Sequence, residues 1–230
     1  MRQRRTYDQY CALARGLEVV GERWTLLVIR ELVLGPKRYT DLLDGLPGIG
    51  TNLLAQRLRE LESSGVVLRR RLPRPAASTV YELTELGRGL EDVVVALGRW
   101  GAAFLGEPRA KDASRAGWYV LSMLATFRPE LAAQLDETFE LRVDDDVFEI
   151  LVASGKVAAE QVPAARSPDS TLALDVEGLV GLLAGSLPVP EAIETKRVRV
   201  EGRAGALERF VELFRWPELE NSREGALPGT

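Results

Sequence analysis

Apolar positions recur along the chain first at helical spacing, then at strand spacing. Residues 17–34 place Leu17, Val20, Trp24, Leu27, Val28 and Leu32 at three- and four-residue steps before Gly35-Pro36, which predicts one core helix stopping there. Residues 39–46 predict two further helical turns, closed by Pro47-Gly48. Over residues 48–62, Leu54, Leu58 and Leu61 share one helical face while Asn52, Gln56 and Arg59 share the opposite one. Residues 66–72 and 79–83 switch to strand spacing around a loop at 73–78. From Thr84 to Leu105 the positions Leu86, Leu90, Val94, Leu97, Trp100 and Phe104 predict a long helix, ended by Gly106 and Pro108. Such a stripe needs another surface to cover it, either a second copy or the rest of the chain.

The second half reads as helix 118–127, strands 138–143, 147–153, 157–162 and 170–175, helix 176–184, strand 196–201 and helix 204–214. Asp144-Asp145-Asp146 is expected to be a turn and not a metal site: three successive side chains do not converge on one ion, and no glycine-spaced calcium loop follows. The expected class is α+β. Residues 1–108 form one domain, 109–116 a linker, 117–216 a second domain and 217–230 a flexible tail.

Charge sharpens that division. The net charge is -4, yet residues 1–108 carry 16 basic against 13 acidic side chains, whereas residues 109–230 carry 14 against 21. A positive half joined to a negative one suggests a polyanion-facing domain beside one with another task, although ordinary surface variation also produces a +3. The chain has no histidine, which excludes Ser-His-Asp and Cys-His catalysis and histidine-ligated zinc. A single cysteine, Cys11, excludes an intramolecular disulfide. No apolar run is long enough to span a membrane, and the Arg-rich N-terminus lacks an apolar signal core, so the expectation is a cytoplasmic protein.

The helix over 48–62 carries the candidate chemistry. Asn and Gln can read adenine through two hydrogen bonds, and Arg can read guanine or hold phosphate. The same residues also occur as plain solvated surface. Helix, tight turn and amphipathic helix form a helix-turn-helix, and a hairpin behind it forms a wing. Candidate DNA contacts are Thr51, Asn52, Gln56, Arg57 and Arg59 on the helix, and Arg69, Arg70 and Arg74 on the wing. Consecutive strand residues alternate in direction, so only part of Arg69-Arg70-Arg71 meets DNA. An edge strand protected by charge is the competing reading.

The N-terminal half resembles the HxlR-type winged-helix transcription regulators over about residues 8–105. The likeness rests on Cys11, the run Gly21 to Leu32, Gly35-Pro36-Lys37-Arg38-Tyr39, Leu46-Pro47-Gly48-Ile49, the run Leu54 to Glu62, Gly65, and Tyr81-Glu82-Leu83-Thr84-Glu85-Leu86-Gly87. The resemblance implies a homodimer bound to double-stranded operator DNA, paired through its N-terminal and long C-terminal helices. Gly50 stands where that family usually has a serine, and the proline-rich wing loop differs. Some relatives sense quinones or other electrophiles through the cysteine that Cys11 matches, so a redox-sensor role for Cys11 is implied; a small buried hydrophobe is the alternative.

Residues 113–216 are similar to the sterol carrier protein type 2 domain. The matching stretches are Phe148-Glu149-Ile150, Gly155-Lys156-Val157, Pro168-Asp169-Ser170-Thr171-Leu172, the run Leu179 to Gly185, Val198-Arg199-Val200-Glu201-Gly202, Leu207 and the run Phe210 to Phe214. That resemblance implies one sheet covered by helices around an apolar tunnel, with a small apolar or lipid-like effector. Trp118, Leu121, Phe139, Phe148, Ile150, Leu172, Leu183, Phe210 and Phe214 are candidates for pocket lining or simply for core. The expected function is a dimeric, ligand-responsive transcription regulator with no catalysis and no cofactor. A lipid or hydrophobic-metabolite carrier whose helix-turn-helix serves protein contacts is the alternative.

Overall fold

A break at Gly21 divides the first predicted helix in two. The computed structural model describes residues 6–73, 77–106, 109, 111–163 and 167–217. In it α1 spans Ala12–Val20 and α2 spans Thr25–Val33. Between them Trp24 adopts φ 78°, a left-handed conformation that a helix does not continue through. Leu17 and Leu27, expected in the core, are exposed, whereas Val28, Ile29 and Leu32 are fully buried.

The chain divides into two compact units, Met1–Leu121 and Ser122–Thr230. In the first, α2 leads through β1 (Lys37–Arg38) into α3 (Tyr39–Gly45) and α4 (Thr51–Ser63). The hairpin of β2 (Val67–Arg71) and β3 (Thr79–Leu83) follows, and β1 joins its far edge to give the antiparallel order β1-β3-β2. Its core packs Val28, Ile29, Leu32, Leu42, Leu54, Leu58, Leu61, Val67 and Val80.

The long helix expected over 84–105 is also interrupted. It comprises α5 (Glu85–Arg88), α6 (Glu91–Gly101) and a 3-10 turn at Ala102–Phe104. The tighter turn that links Leu90 N–H to Gly87 O at 2.9 Å separates α5 from α6. α6 buries none of its residues, and Val93, Leu97, Trp100 and Phe104 are exposed.

The division between the units falls inside α7 (Ala116–Ala125), so the expected boundary at 108 and linker at 109–116 lie N-terminal to it. The second unit is built on a five-stranded sheet of β4 (Asp136–Val143), β5 (Asp146–Ala153), β6 (Lys156–Gln161), β7 (Ser170–Leu174) and β8 (Val198–Gly202). The order is β6-β5-β4-β7-β8, with β4 and β7 parallel and the other pairs antiparallel. α8 (Val176–Ala184), α9 (Val189–Glu194) and α10 (Ala206–Phe214) supply its helices. The inward residues Phe139, Leu141, Val143, Phe148, Ile150 and Leu172 are buried, as are Leu183, Phe210 and Phe214 of the helices. Asp144 and Asp145 form the β4–β5 turn, and Asp146 accepts from Gln161 Nε2 at 2.7 Å. The fold class is therefore α+β, a winged helix-turn-helix followed by a sheet-and-helix unit. The expected tail beyond Pro217 lies outside the described residues.

Candidate nucleic-acid interface

α4 is held at both ends by its own unit. Tyr39 Oη at the start of α3 donates to Thr51 O at 2.7 Å, fixing the two helix starts against each other. Gly50 occupies the N-cap and offers no side chain; its carbonyl accepts from the Leu53 and Leu54 amides at 3.0 Å each. Leu54, Leu58 and Leu61 bury the inner face. Thr51, Asn52 and Arg59 are exposed, and Gln56 is half-buried.

Arg57 turns inward instead. It is 7% exposed, and its guanidinium bonds to Glu60 Oε2 and, at 3.3 Å, to Glu22 Oε2. This cation braces α4 against the segment before α2. Glu60 also accepts from Gln56 Nε2 at 2.8 Å. Glu60 and Glu22 stand outside the candidates drawn from the sequence. The four-residue spacing of Gln56 and Glu60 is a local signal for the first; nothing local marks Glu22, thirty-five positions from Arg57.

On the wing, Arg69 faces Tyr81 across the ladder, and Arg71 faces Thr79; both arginines are exposed. Arg70 points to the other face, where Nε and Nη2 donate to the two Glu82 carboxylate oxygens at 2.9 and 2.5 Å. Those bonds raise the Arg70 pKa, the Glu82 hydrogen bonds contributing most. Arg74 lies outside the described residues. Arg38, exposed at the start of α3, is a further cation outside the candidates drawn from the sequence.

Cys11 is exposed and stands at the N-cap of α1. Arg15, one turn on, directs its guanidinium to Glu18 at 3.0 Å.

The nine pocket-or-core candidates fall into two groups. Trp118 and Leu121 lie in the first unit, where Trp118 Nε1 donates to Glu31 Oε1 at 2.9 Å and the Arg30 guanidinium sits 4.3 Å above the indole. The other seven are buried in the second unit. Phe139 meets Phe210 edge-on at 5.5 Å, and Phe210 meets Phe214 at 5.0 Å. None of the nine lines the cleft of about 340 Å3 beside α9, β8 and the start of α10, which Ile193, Val200, Glu201, Leu207 and Glu208 help to wall.

An exposed amphipathic helix behind a tight turn, with a basic hairpin following it, defines a winged-helix DNA-binding protein. Residues 19–109 match the HxlR-like helix-turn-helix family, and the chain belongs to that family. A helix-turn-helix transcriptional regulator of Synechocystis sp. is 36% identical over 95 residues, 41% of this chain and 70% of that protein. The regulator YodB of Bacillus subtilis is 37% identical over 86 residues, 37% of this chain and 77% of its own length. The reduced form of YodB, as a solved structure, covers 44% of this chain and 100% of that one at 32% identity and a TM-score of 0.38. Residues 123–215 match the SCP-2 sterol transfer family. The relatives are transcriptional regulators, supporting DNA-binding regulation as the role of this chain. Among the described residues no helix is long and apolar enough to cross a membrane.

Proposed function

We propose that the chain is a homodimeric, operator-binding transcription regulator of the cytoplasm, with α4 as its reading helix and the second unit as the receptor for a small apolar effector. The observation that carries DNA reading is the outward face of α4. Asn52 and Arg59 stand seven residues apart, two helical turns, with Gln56 between them, while the leucines opposite are buried. Thr51 flanks that face, and the Arg69 wing supplies phosphate contacts. Pairing through α6 is supported by the apolar side chains Val93, Leu97, Trp100 and Phe104, which one copy of the chain leaves exposed.

For the effector, Phe139, Phe148, Ile150, Leu172, Leu183, Phe210 and Phe214 are the proposed apolar lining, in keeping with the SCP-2 match. All seven are packed, so entry requires helices to part from the sheet. An effector changes operator affinity only by binding the DNA-competent and incompetent dimers unequally. Electrophile sensing at Cys11 is proposed through its exposed thiol: alkylation by iodoacetamide is expected to lower operator affinity in wild type and to leave Cys11→Ser unaffected.

The test is a gel-shift series on duplex selected from a randomised pool. Gln56→Ala with Arg59→Ala is expected to lose about 10–100-fold in specific affinity with dimer mass intact; unchanged affinity overturns the reading-helix assignment. Arg69→Ala should reduce the salt slope by about 1 for all sequences.

A further inference from the structure

We infer that Glu60 is a positioning residue that fixes the amide of Gln56, so that α4 presents an outward hydrogen-bond acceptor and selects a base carrying an exocyclic amine. The inference rests on α4 being the reading helix. A carboxylate accepts hydrogen bonds and donates none, so the group facing Glu60 Oε1 at 2.8 Å must be the Gln56 amide nitrogen. The amide oxygen consequently points away from Glu60. A free glutamine side chain turns over and offers either end; this one is held one way round.

The clamp is itself anchored. Glu60 Oε2 accepts from Arg57 Nη1, and Arg57 Nη2 bonds to Glu22 Oε2 at 3.3 Å. Arg57 is almost wholly buried, so one oxygen of the half-buried Glu60 carboxylate is tied to a fixed cation. A buried cation with two carboxylate partners holds its position, because separation leaves charge without compensation. Glu22, Arg57, Glu60 and Gln56 thus form one hydrogen-bonded line that runs from the break between α1 and α2, through the buried Arg57, to the reading face.

The consequence follows from the major-groove edges. Adenine offers N6–H2 beside the acceptor N7, and cytosine offers N4–H2; guanine offers only acceptors there, and thymine an acceptor and a methyl group. An outward Gln56 oxygen meets the amine of adenine or cytosine. The second hydrogen on Nε2 is not taken by Glu60 and suits adenine N7, so adenine ranks first. Guanine and thymine place an oxygen against an oxygen.

The experiment measures base preference with the full-length dimer on a pool of randomised duplexes, for wild type, Gln56→Ala, Glu60→Gln and the control Glu62→Gln. Both glutamate changes remove one negative charge near DNA and raise affinity for every sequence, so affinity alone does not report positioning. In Glu60→Gln the new amide can donate or accept, and the Gln56 amide is released to turn over. Wild type is expected to prefer adenine over guanine and thymine by at least about tenfold at one position per half-site. Gln56→Ala should abolish that preference. Glu60→Gln should cut it below about threefold while Glu62→Gln and all other positions keep theirs. A preference retained in Glu60→Gln but lost in Gln56→Ala overturns the clamp and leaves the reading helix standing. A Gln56-dependent preference for guanine or thymine overturns the acceptor orientation. Absence of sequence-specific DNA binding in wild type overturns the proposed function and this inference together.

Discussion

Glu18 shows how one carboxylate organises a chain end. It accepts from the Tyr7 amide at 3.0 Å, from Thr6 Oγ1 at 3.1 Å and from Arg15 at 3.0 Å. The backbone bond from Tyr7, then the bond from Arg15, holds its pKa below the ordinary carboxylate value. A depressed folded value means that the contribution is present above the unfolded pKa and is lost as pH falls through the folded one. Acidification should therefore release residues 6–8 from α1, and Glu18→Gln should release them at neutral pH, read as faster exchange of the Tyr7 amide. Glu137 is a different case, wholly buried, accepting from Ser170 Oγ at 2.8 Å and from Arg209 through two bonds at 2.9 and 2.8 Å. Arg209→Ala strands that charge and should cost about 3 kcal/mol in a urea titration. Removing the wing pair of Arg70 and Glu82, both partly exposed and screened by solvent, should leave the urea midpoint close to that of wild type. Gly87 admits no side chain, since a Cβ there would lie 2.1 Å from Val66 O; Gly87→Ala should destabilise by about 2 kcal/mol.

Helix ends determined how much of each element could be read in advance. α8 spans the expected residues because both its ends are written locally: Asp175 accepts from the Gly178 amide at 2.7 Å, and Gly185 turns left-handed at φ 77°. Thr84 likewise caps α5, accepting from the Gly87 amide at 3.0 Å. Asp175→Ala and Thr84→Ala should each lower stability by about 1 kcal/mol. α4 lacks such a cap. Gly50 has an ordinary φ of -79° and open space where a Cβ would stand, so Gly50→Ser should raise stability by a few tenths, about 0.3 kcal/mol, seen as a small rise in Tm. The breaks at Trp24 and at Gly89-Leu90 were not legible, because hydrophobic periodicity continues across both while the backbone does not. β1 is two residues long and exists through its pairing with Val80 and Tyr81, which no local pattern announces. On α4, the exposed positions of Asn52 and Arg59 were legible from spacing. The inward turn of Arg57 was not, because Glu22, its remote partner, comes from the break between α1 and α2.

For the whole molecule, the sign change in charge between its two parts was visible in composition, and an apolar surface without a partner was implied by the α6 stripe. If α6 pairs two copies, Leu97→Glu places charge in that contact and should convert a dimer to a monomer in sedimentation. Loss of the second half-site contact should lower operator affinity by about 100-fold, because two linked binding events become one. Leu97→Ala should weaken pairing less. The position of Trp100 makes that equilibrium optically visible. Of four tryptophans it is the one 66% exposed on α6, whereas the Trp118 indole lies beneath a guanidinium and against a carboxylate. Its emission should shift to the red on dilution below the pairing constant, and iodide should quench it only then, so the chain carries its own fluorescent gauge of assembly.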